Sequence, residues 1–227
     1  MNRKAALAGR FVFLSASYPP RAYGATSDSH EIARAIKMLL AIVFEEGGLL
    51  TFGGHPSISP LVLMMAREYG RKERVRIYQS ALYKDVISPV TRELRHEGYG
   101  EIVFTEAAAG EEPFHGSNKK SLALMRERMV KETNPIGAVF VGGDTGVGEE
   151  LDLFRRAYPR RPAVPVGAPG GIARELLGRV EKELPGGSFF EELYASRNYL
   201  SLMRKVVLLI ERHVEDEEPP PALRMEG

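Results

Sequence analysis

Six times along this chain a short apolar run gives way to a stretch with helical spacing. No other feature of the sequence constrains the fold so tightly. The runs fall at residues 11–14, 49–52, 75–78, 101–104, 138–141 and 163–166. The first, Phe11-Val12-Phe13-Leu14, shows no polar alternation. A strand without alternation has both faces covered, as in a parallel sheet. Parallel neighbours need a crossover, and the helical segments between the runs supply it. The expected fold is therefore a single α/β domain, a mostly parallel sheet with helices on both faces.

The punctuation between the runs supports this. Asp28 with Glu31 three residues on reads as a capping box. Ile32, Ile36, Leu39, Leu40 and Val43 then recur at helical spacing until Gly47-Gly48. Ser59 as N-cap, with Pro60 at the first helical position, opens a second helix that ends at Gly70. A short helix is expected over 89–96. Residues 106–116, rich in Gly, Glu and Pro, read as a mobile loop over the site. Ser117 is placed to cap a helix running to about Lys131, with Leu122, Met125 and Met129 facing inward. Further helices follow Gly142-Gly143, through Glu149, Leu151 and Phe154, and Pro169-Gly170-Gly171. The spacing predicts helix again over 189–214, in two pieces. Residues 1–187 then form the Rossmann-like domain, and 188–214 a helical segment packed on it or at a dimer interface. Residues 215–227, acidic and then proline-rich, form a disordered tail.

Composition excludes several function classes. The chain has 227 residues, enough for one large core. Lys and Arg number 31 against 30 Asp and Glu, a net charge of +1. No excess of cations points to nucleic acid or to an anionic membrane. The absence of cysteine excludes disulfides, thiolate zinc sites and a cysteine nucleophile. No second His stands at a metal-like spacing from His55, so no metal is expected. The run at 11–14 is too short for a secretory core, and no stretch approaches the roughly 18 apolar residues of a membrane span. A cytoplasmic location is the expectation.

The chemistry gathers at the strand ends. Ser15-Ala16-Ser17, Gly53-Gly54-His55, Gly142-Gly143-Asp144-Thr145-Gly146 and Pro169-Gly170-Gly171 are all small or glycine-rich turns that open helices. Glycine lets a backbone approach a ligand, and helix N-termini offer N–H groups to anions. Tight turns alone also explain glycine, but four on one predicted edge favour a phosphate or ribose cradle. There is no GxGxxG after the first run and no GxxxxGK[ST], so neither a nicotinamide dehydrogenase nor a P-loop NTPase is expected, and no resident cofactor. Glu149 and Glu150 stand in the first turn after Gly142-Gly143. Glu149 reads equally well as a partner for the helix dipole. Glu150 is four residues before Phe154 and lies toward the packed side. Arg126 is a candidate phosphate clamp and His55 a candidate base or phosphate contact.

These stretches resemble the SLOG superfamily, the Rossmann-like group that includes LOG-type cytokinin-activating phosphoribohydrolases and DprA/Smf proteins. The resemblance is closer to a prokaryotic SLOG branch associated with TIR and other defence-type domains. It is carried by Val12 to Ser17, by Phe52-Gly53-Gly54-His55-Pro56 through Pro60, by Ser121-Leu122 with Met125-Arg126 and Met129, and by Val139 to Phe154. FGGHP is the most specific of them. The resemblance implies a Rossmann-like fold and a nucleotide-type ligand. LOG enzymes cleave the N-glycosidic bond of a nucleoside monophosphate with an Arg and a Glu around PGGxGTxxE. Other branches, such as the sensor domains of Thoeris defence effectors, bind cyclic ADP-ribose-like signals intact. Here Val141 stands in place of the leading Pro, and the spacing to Glu150 is one residue longer.

Two readings follow. In the first, the chain is a sensor of a nucleotide or NAD-derived signal. Ser15, Ser17, Gly53, Gly54, His55, Gly142, Gly143, Gly170 and Gly171 then shape its ligand site, with Arg126 on phosphate and Glu149 and Glu150 near ribose. In the second, Glu150 and Arg126 are the catalytic pair of a nucleotide N-glycosidase or deoxyribosyltransferase-like enzyme. The apolar residues Leu193, Leu200, Val206, Val207, Leu209 and Ile210 either close the core or bury a face in a homodimer. The chain shows no effector domain of its own, so a sensor's output passes to a separate effector protein or through oligomerisation.

Overall fold

A computed structural model describes residues 7–19, 27–113 and 118–217. It contains one six-stranded sheet with every neighbouring pair parallel. The strands are β1 (Phe11–Ser17), β2 (Leu49–Gly53), β3 (Val75–Ser80), β4 (Glu101–Thr105), β5 (Gly137–Gly142) and β6 (Ala163–Val166). The order across the sheet is β4-β3-β2-β1-β5-β6. The chain winds outward from β1 to β4, then returns to the other side of β1. The order therefore switches between β1 and β5. These two central strands are well covered. Val12, Phe13 and Leu14 are buried, and so is every residue of β5. Pro165 cannot donate to a ladder and sits on β6, an edge strand.

The helices are α1 (Ser29–Glu45), α2 (Ser59–Glu68), α3 (Pro89–His96), α4 (Lys119–Thr133), α5 (Thr145–Ala157), α6 (Ile172–Arg179), α7 (Ser188–Ala195) and α8 (Tyr199–Glu217). α1 packs against α2 and α8 on one face of the sheet, while α4, α5 and α6 pack together on the other. The Asp28 carboxylate accepts the N–H groups of His30 and Glu31 and fixes the start of α1. Glu31 does not complete the box. It turns to Arg34 at 2.6 Å instead. Ile32, Ile36, Leu39, Leu40 and Val43 are buried, as their spacing requires.

Two sequence expectations change, and one element is new. Ser59 is the first helical residue of α2 rather than its cap, because its Oγ accepts the His55 N–H at 3.2 Å and is spent on the turn. A two-turn segment, Ala81–Val86, continues β3 in 3₁₀ form with a kink at Tyr83, and the Ser80 hydroxyl caps it. The helical backbone of α8 runs to Glu217, past the expected start of the tail at 215, because the acidic run simply extends an established helix. Residues 114–117, which include Ser117 and the end of the expected loop, lie outside the described residues, as do 218–227. α8 buries Leu202, Met203, Val206, Val207 and Ile210, which cover α1 and the start of β5. Leu193 of α7 is also buried, and Leu200 is 42 % exposed. No helix among the described residues is long and apolar enough to cross a membrane.

Candidate functional site

Ligands of open parallel sheets bind beyond the carboxyl ends of the strands, where strand order reverses. Here the connections leaving β1 and β5 run to opposite sides, and a cavity of about 420 Å³ opens beside the strand ends. Its floor is Ala16 and Ser17 of β1 and Gly53-Gly54-His55 after β2. α4 contributes Leu122, Met125 and Arg126, and the start of α5 contributes Asp144, Gly146, Val147 and Glu150. The far wall is Tyr78, Gln79 and Ser80 at the end of β3, with Tyr83 and Val86 of the 3₁₀ segment.

Glu150 is held at both carboxylate oxygens. It lies one turn into α5, and the helix carries it back over the end of β1. The Ser15 hydroxyl donates to its Oε2 at 2.5 Å, and the Arg126 Nε–H donates to its Oε1 at 3.1 Å. The side chains of Glu150 and Arg126 are only 13 % and 14 % exposed, whereas Glu149 is 62 % exposed. Glu149 reaches the same guanidinium from outside at 2.5 Å. One cation thus faces two carboxylates. Removing Arg126 would leave the half-buried Glu150 carboxylate without its cation, a loss of about 3–5 kcal/mol for a buried pair. Two glycines lie against it. A Cβ on Gly53 would stand 3.7 Å from Glu150 Oε1, and one on Gly146 would stand 3.0 Å from Arg126 Nη2.

Of the residues singled out from sequence, Ser17, Gly53, Gly54, His55, Arg126 and Glu150 border the cavity. Ser15 lies beneath Glu150 and is fully buried. The other four glycines stand behind the wall. Gly142 and Gly171 stack backbone on backbone, with a Cβ on Gly171 falling 2.6 Å from the Gly142 carbonyl carbon. Gly170 bridges to Ser27, and a Cβ on Gly143 would overlap Val147.

The N–H groups of these turns are largely committed to the protein itself. Gly54 donates to Tyr78 O at 2.7 Å, and Ser57 donates to His55 Nδ1 at 3.3 Å. Gly143 donates to Ser17 O at 2.8 Å, Gly146 to the Asp144 carboxylate at 3.2 Å, and Val147 to Asp144 O at 3.0 Å. Buried backbone donors must be paired, and these are paired without a ligand.

Comparison with known proteins fits this fold. The model of the SLOG cluster3 family matches residues 22–207. The chain belongs to the SLOG cluster3 family. No curated protein matches it by sequence. Among solved structures, it is similar to the X-ray structure of TM1055, a structural genomics target. That likeness has a TM-score of 0.56 at 14% identity and covers 89% of this chain and 99% of that one. At such identity it supports the fold. The SLOG match spans both walls of the cavity, from the β2 turn through α4 to α5.

Several residues of this SLOG cavity carry no motif signal in the sequence. Gln79 tucks under Gly54, where a Cβ would fall 1.9 Å from its Oε1. The Asn118 side-chain amide donates to the Tyr83 hydroxyl across the cavity mouth. Tyr78 is wholly buried, and its hydroxyl donates to Glu132 at 2.8 Å. Burial, with help from Glu132, pushes that phenol up to about 12. His55 is held below its ordinary value chiefly by burial, against an opposing pull from the Asp144 carboxylate. The neutral ring accepts from Ser57 at Nδ1, which leaves its proton on Nε2. No cluster of metal-ligating groups occurs among the described residues.

Proposed function

We propose that this SLOG chain binds a nucleotide or NAD-derived small molecule in the cavity beyond β1 and β5, and that it does so as a ligand sensor. The observation that carries the reading is Glu150. A carboxylate fixed by Ser15 and Arg126, with Gly53 beside its Oε1, keeps lone pairs to accept hydrogen bonds from the hydroxyls of a ribose. Gly53 lets the sugar approach, and a volume of about 420 Å³ is within the range of small-molecule pockets. Ser17, Gln79, Ser80 and Asn118 add hydroxyl and amide groups for the polar edge of a base.

The deciding experiment is incubation with nucleoside monophosphates, NAD, ADP-ribose and cyclic ADP-ribose isomers, with mass spectrometry of free and bound fractions. A sensor retains one compound intact, and Glu150→Gln lowers its affinity by about tenfold or more, the value of one charge-assisted hydrogen bond. Retention unchanged in Glu150→Gln would remove the carboxylate from the site.

The same pair favours a second reading, a nucleotide N-glycosidase. A buried carboxylate beside an arginine is also what an oxocarbenium-like transition state and a phosphate require. Release of free base, abolished in Glu150→Gln, would establish it. Output through a homodimer or a separate effector protein belongs to the sensor proposal. Light scattering with and without ligand reads the first.

A further inference from the structure

One buried amide on the cavity wall has no partner in the protein. Val75, Ile77 and Gln79 alternate along β3 and point to one side of the sheet. The first two belong to the core, each 2 % exposed. Gln79 continues their row and is itself only 9 % exposed, so an amide stands where the row calls for an apolar group. It borders the cavity, and its side chain makes no hydrogen bond among the described residues. A buried amide left without a partner costs free energy in the free protein. The chain nevertheless makes a seat for it. The backbone of Gly54 is not left-handed, so its conformation does not require glycine. A Cβ there would fall 1.9 Å from Gln79 Oε1 and 3.0 Å from Gln79 Cδ. Glycine at 54 is thus explained chiefly by the amide beside it. Tyr83 and Val86 border the same wall with a ring and an aliphatic face, and Glu150 stands on the opposite wall.

We propose that Gln79 sets the base specificity of the cavity. It selects ligands whose heterocycle presents a hydrogen-bond donor beside an acceptor, such as the amidine edge of adenine or the carboxamide of nicotinamide. A primary amide carries the complementary acceptor and donor and pairs with such an edge twice. The inference rests on the nucleotide reading above and gives it a direction, with the ribose on Glu150 and the base toward β3, against Tyr83 and Val86. A base that lacks the donor leaves the amide oxygen unpaired, and a site built around a buried polar group rejects such analogues.

Two matched pairs of nucleotides and one substitution test it by titration calorimetry on the full chain. The first pair is AMP against purine riboside 5′-monophosphate, which lacks the amino group. The second is nicotinamide mononucleotide against nicotinic acid mononucleotide, whose carboxylate replaces the amide. In at least one pair the first member should bind about tenfold tighter, the worth of a hydrogen bond that satisfies a buried group. Gln79→Met keeps the length of the side chain and removes both polar atoms. It should bring that ratio to near unity and raise the urea midpoint of the ligand-free chain, because an unpartnered amide leaves the interior. A glutamine kept for structure alone would lower the midpoint when removed, and that result overturns the inference. Ratios near unity for both pairs in the parent, or a ratio undiminished in Gln79→Met, overturn it as well. In those cases weaker binding of the same nucleotides by Glu150→Gln keeps the nucleotide reading standing. If none of the four compounds binds, the inference falls, and if the wider nucleotide panel also shows nothing retained, the nucleotide reading falls with it.

Discussion

Single atoms decide what this site accepts, and the glycines show it most sharply. Gly53 and Gly142 both end strands, yet they serve different ends. A Cβ on Gly53 meets Met125 and Glu150 at ordinary contact distance, 3.5 and 3.7 Å, so Gly53→Ala should fold with stability within about 0.5 kcal/mol of the parent. It should nevertheless weaken ligand binding, because the methyl stands where the sugar must approach Glu150. Gly142 has φ of +65°, and its Cβ would fall 2.6 Å from Ile32 and 2.9 Å from Ser17 O. Gly142→Ala should therefore lower stability by about 2 kcal/mol or more in urea titration, through backbone strain and overlap together. Sequence could name both glycines but could not separate these roles, since the difference lies in what a side chain would touch across the sheet. The same limit hid Gln79. It bears no motif, and its place beside Gly54 depends on the β2–β3 register.

His55 gives a prediction in pH. Burial lowers its folded value below the ordinary 6.5 of the unfolded chain, with Asp144 from the β5–α5 turn pulling the other way. Below 6.5 the unfolded state therefore binds more protons than the folded one, and this group's contribution makes stability rise with pH up to that point. Urea titrations from pH 5 to 7.5 should show a steeper fall on the acid side for the parent than for His55→Gln. Identical slopes would mean that the imidazole is solvated.

At the scale of elements, the strands and most helices were legible because each carries a period and a stop signal. Residues 89–96 and 163–166 form the expected helix and strand. The 3₁₀ segment Ala81–Val86 was not legible, because two short turns with a kink at Tyr83 are too brief to show a period, and it takes its shape from the Ser80 cap and the end of β3. α8 shows how an element finds its place. Gly137 opens β5 directly beneath Ile210, and a Cβ there would lie 2.7 to 3.0 Å from three Ile210 carbons. Gly137→Ala should destabilise by about 1–3 kcal/mol. Ile210→Ala alone should destabilise by about 2–5 kcal/mol. The two together should cost less than their sum, because the new methyl enters the space that the old side chain leaves. Strict additivity in a double-mutant cycle would show that α8 shifts rather than packs rigidly on β5.

For the whole molecule, the order β4-β3-β2-β1-β5-β6 brings together residues far apart in the chain. Ser15 and Glu150 are 135 positions apart and share a hydrogen bond. No local pattern predicts that bond. It follows from the switch between β1 and β5, and the expectation of a parallel sheet with ligands at the strand ends was enough to point toward that region. The candidate pair Arg126 and Glu150 was legible as two charges near packed positions. Their mutual contact and the excess of carboxylates around them were not, since they depend on how α4 and α5 lean together.

Tyr18, Tyr78 and Tyr83 all line the cavity. The protein has nine tyrosines and no tryptophan. Excitation energy absorbed by these phenols has no indole to which it can pass, so the emission of the chain is tyrosine emission throughout. Three of the eight tyrosines among the described residues therefore stand at the cavity wall, and occupancy can be followed by ultraviolet light in the unlabelled, unmutated chain.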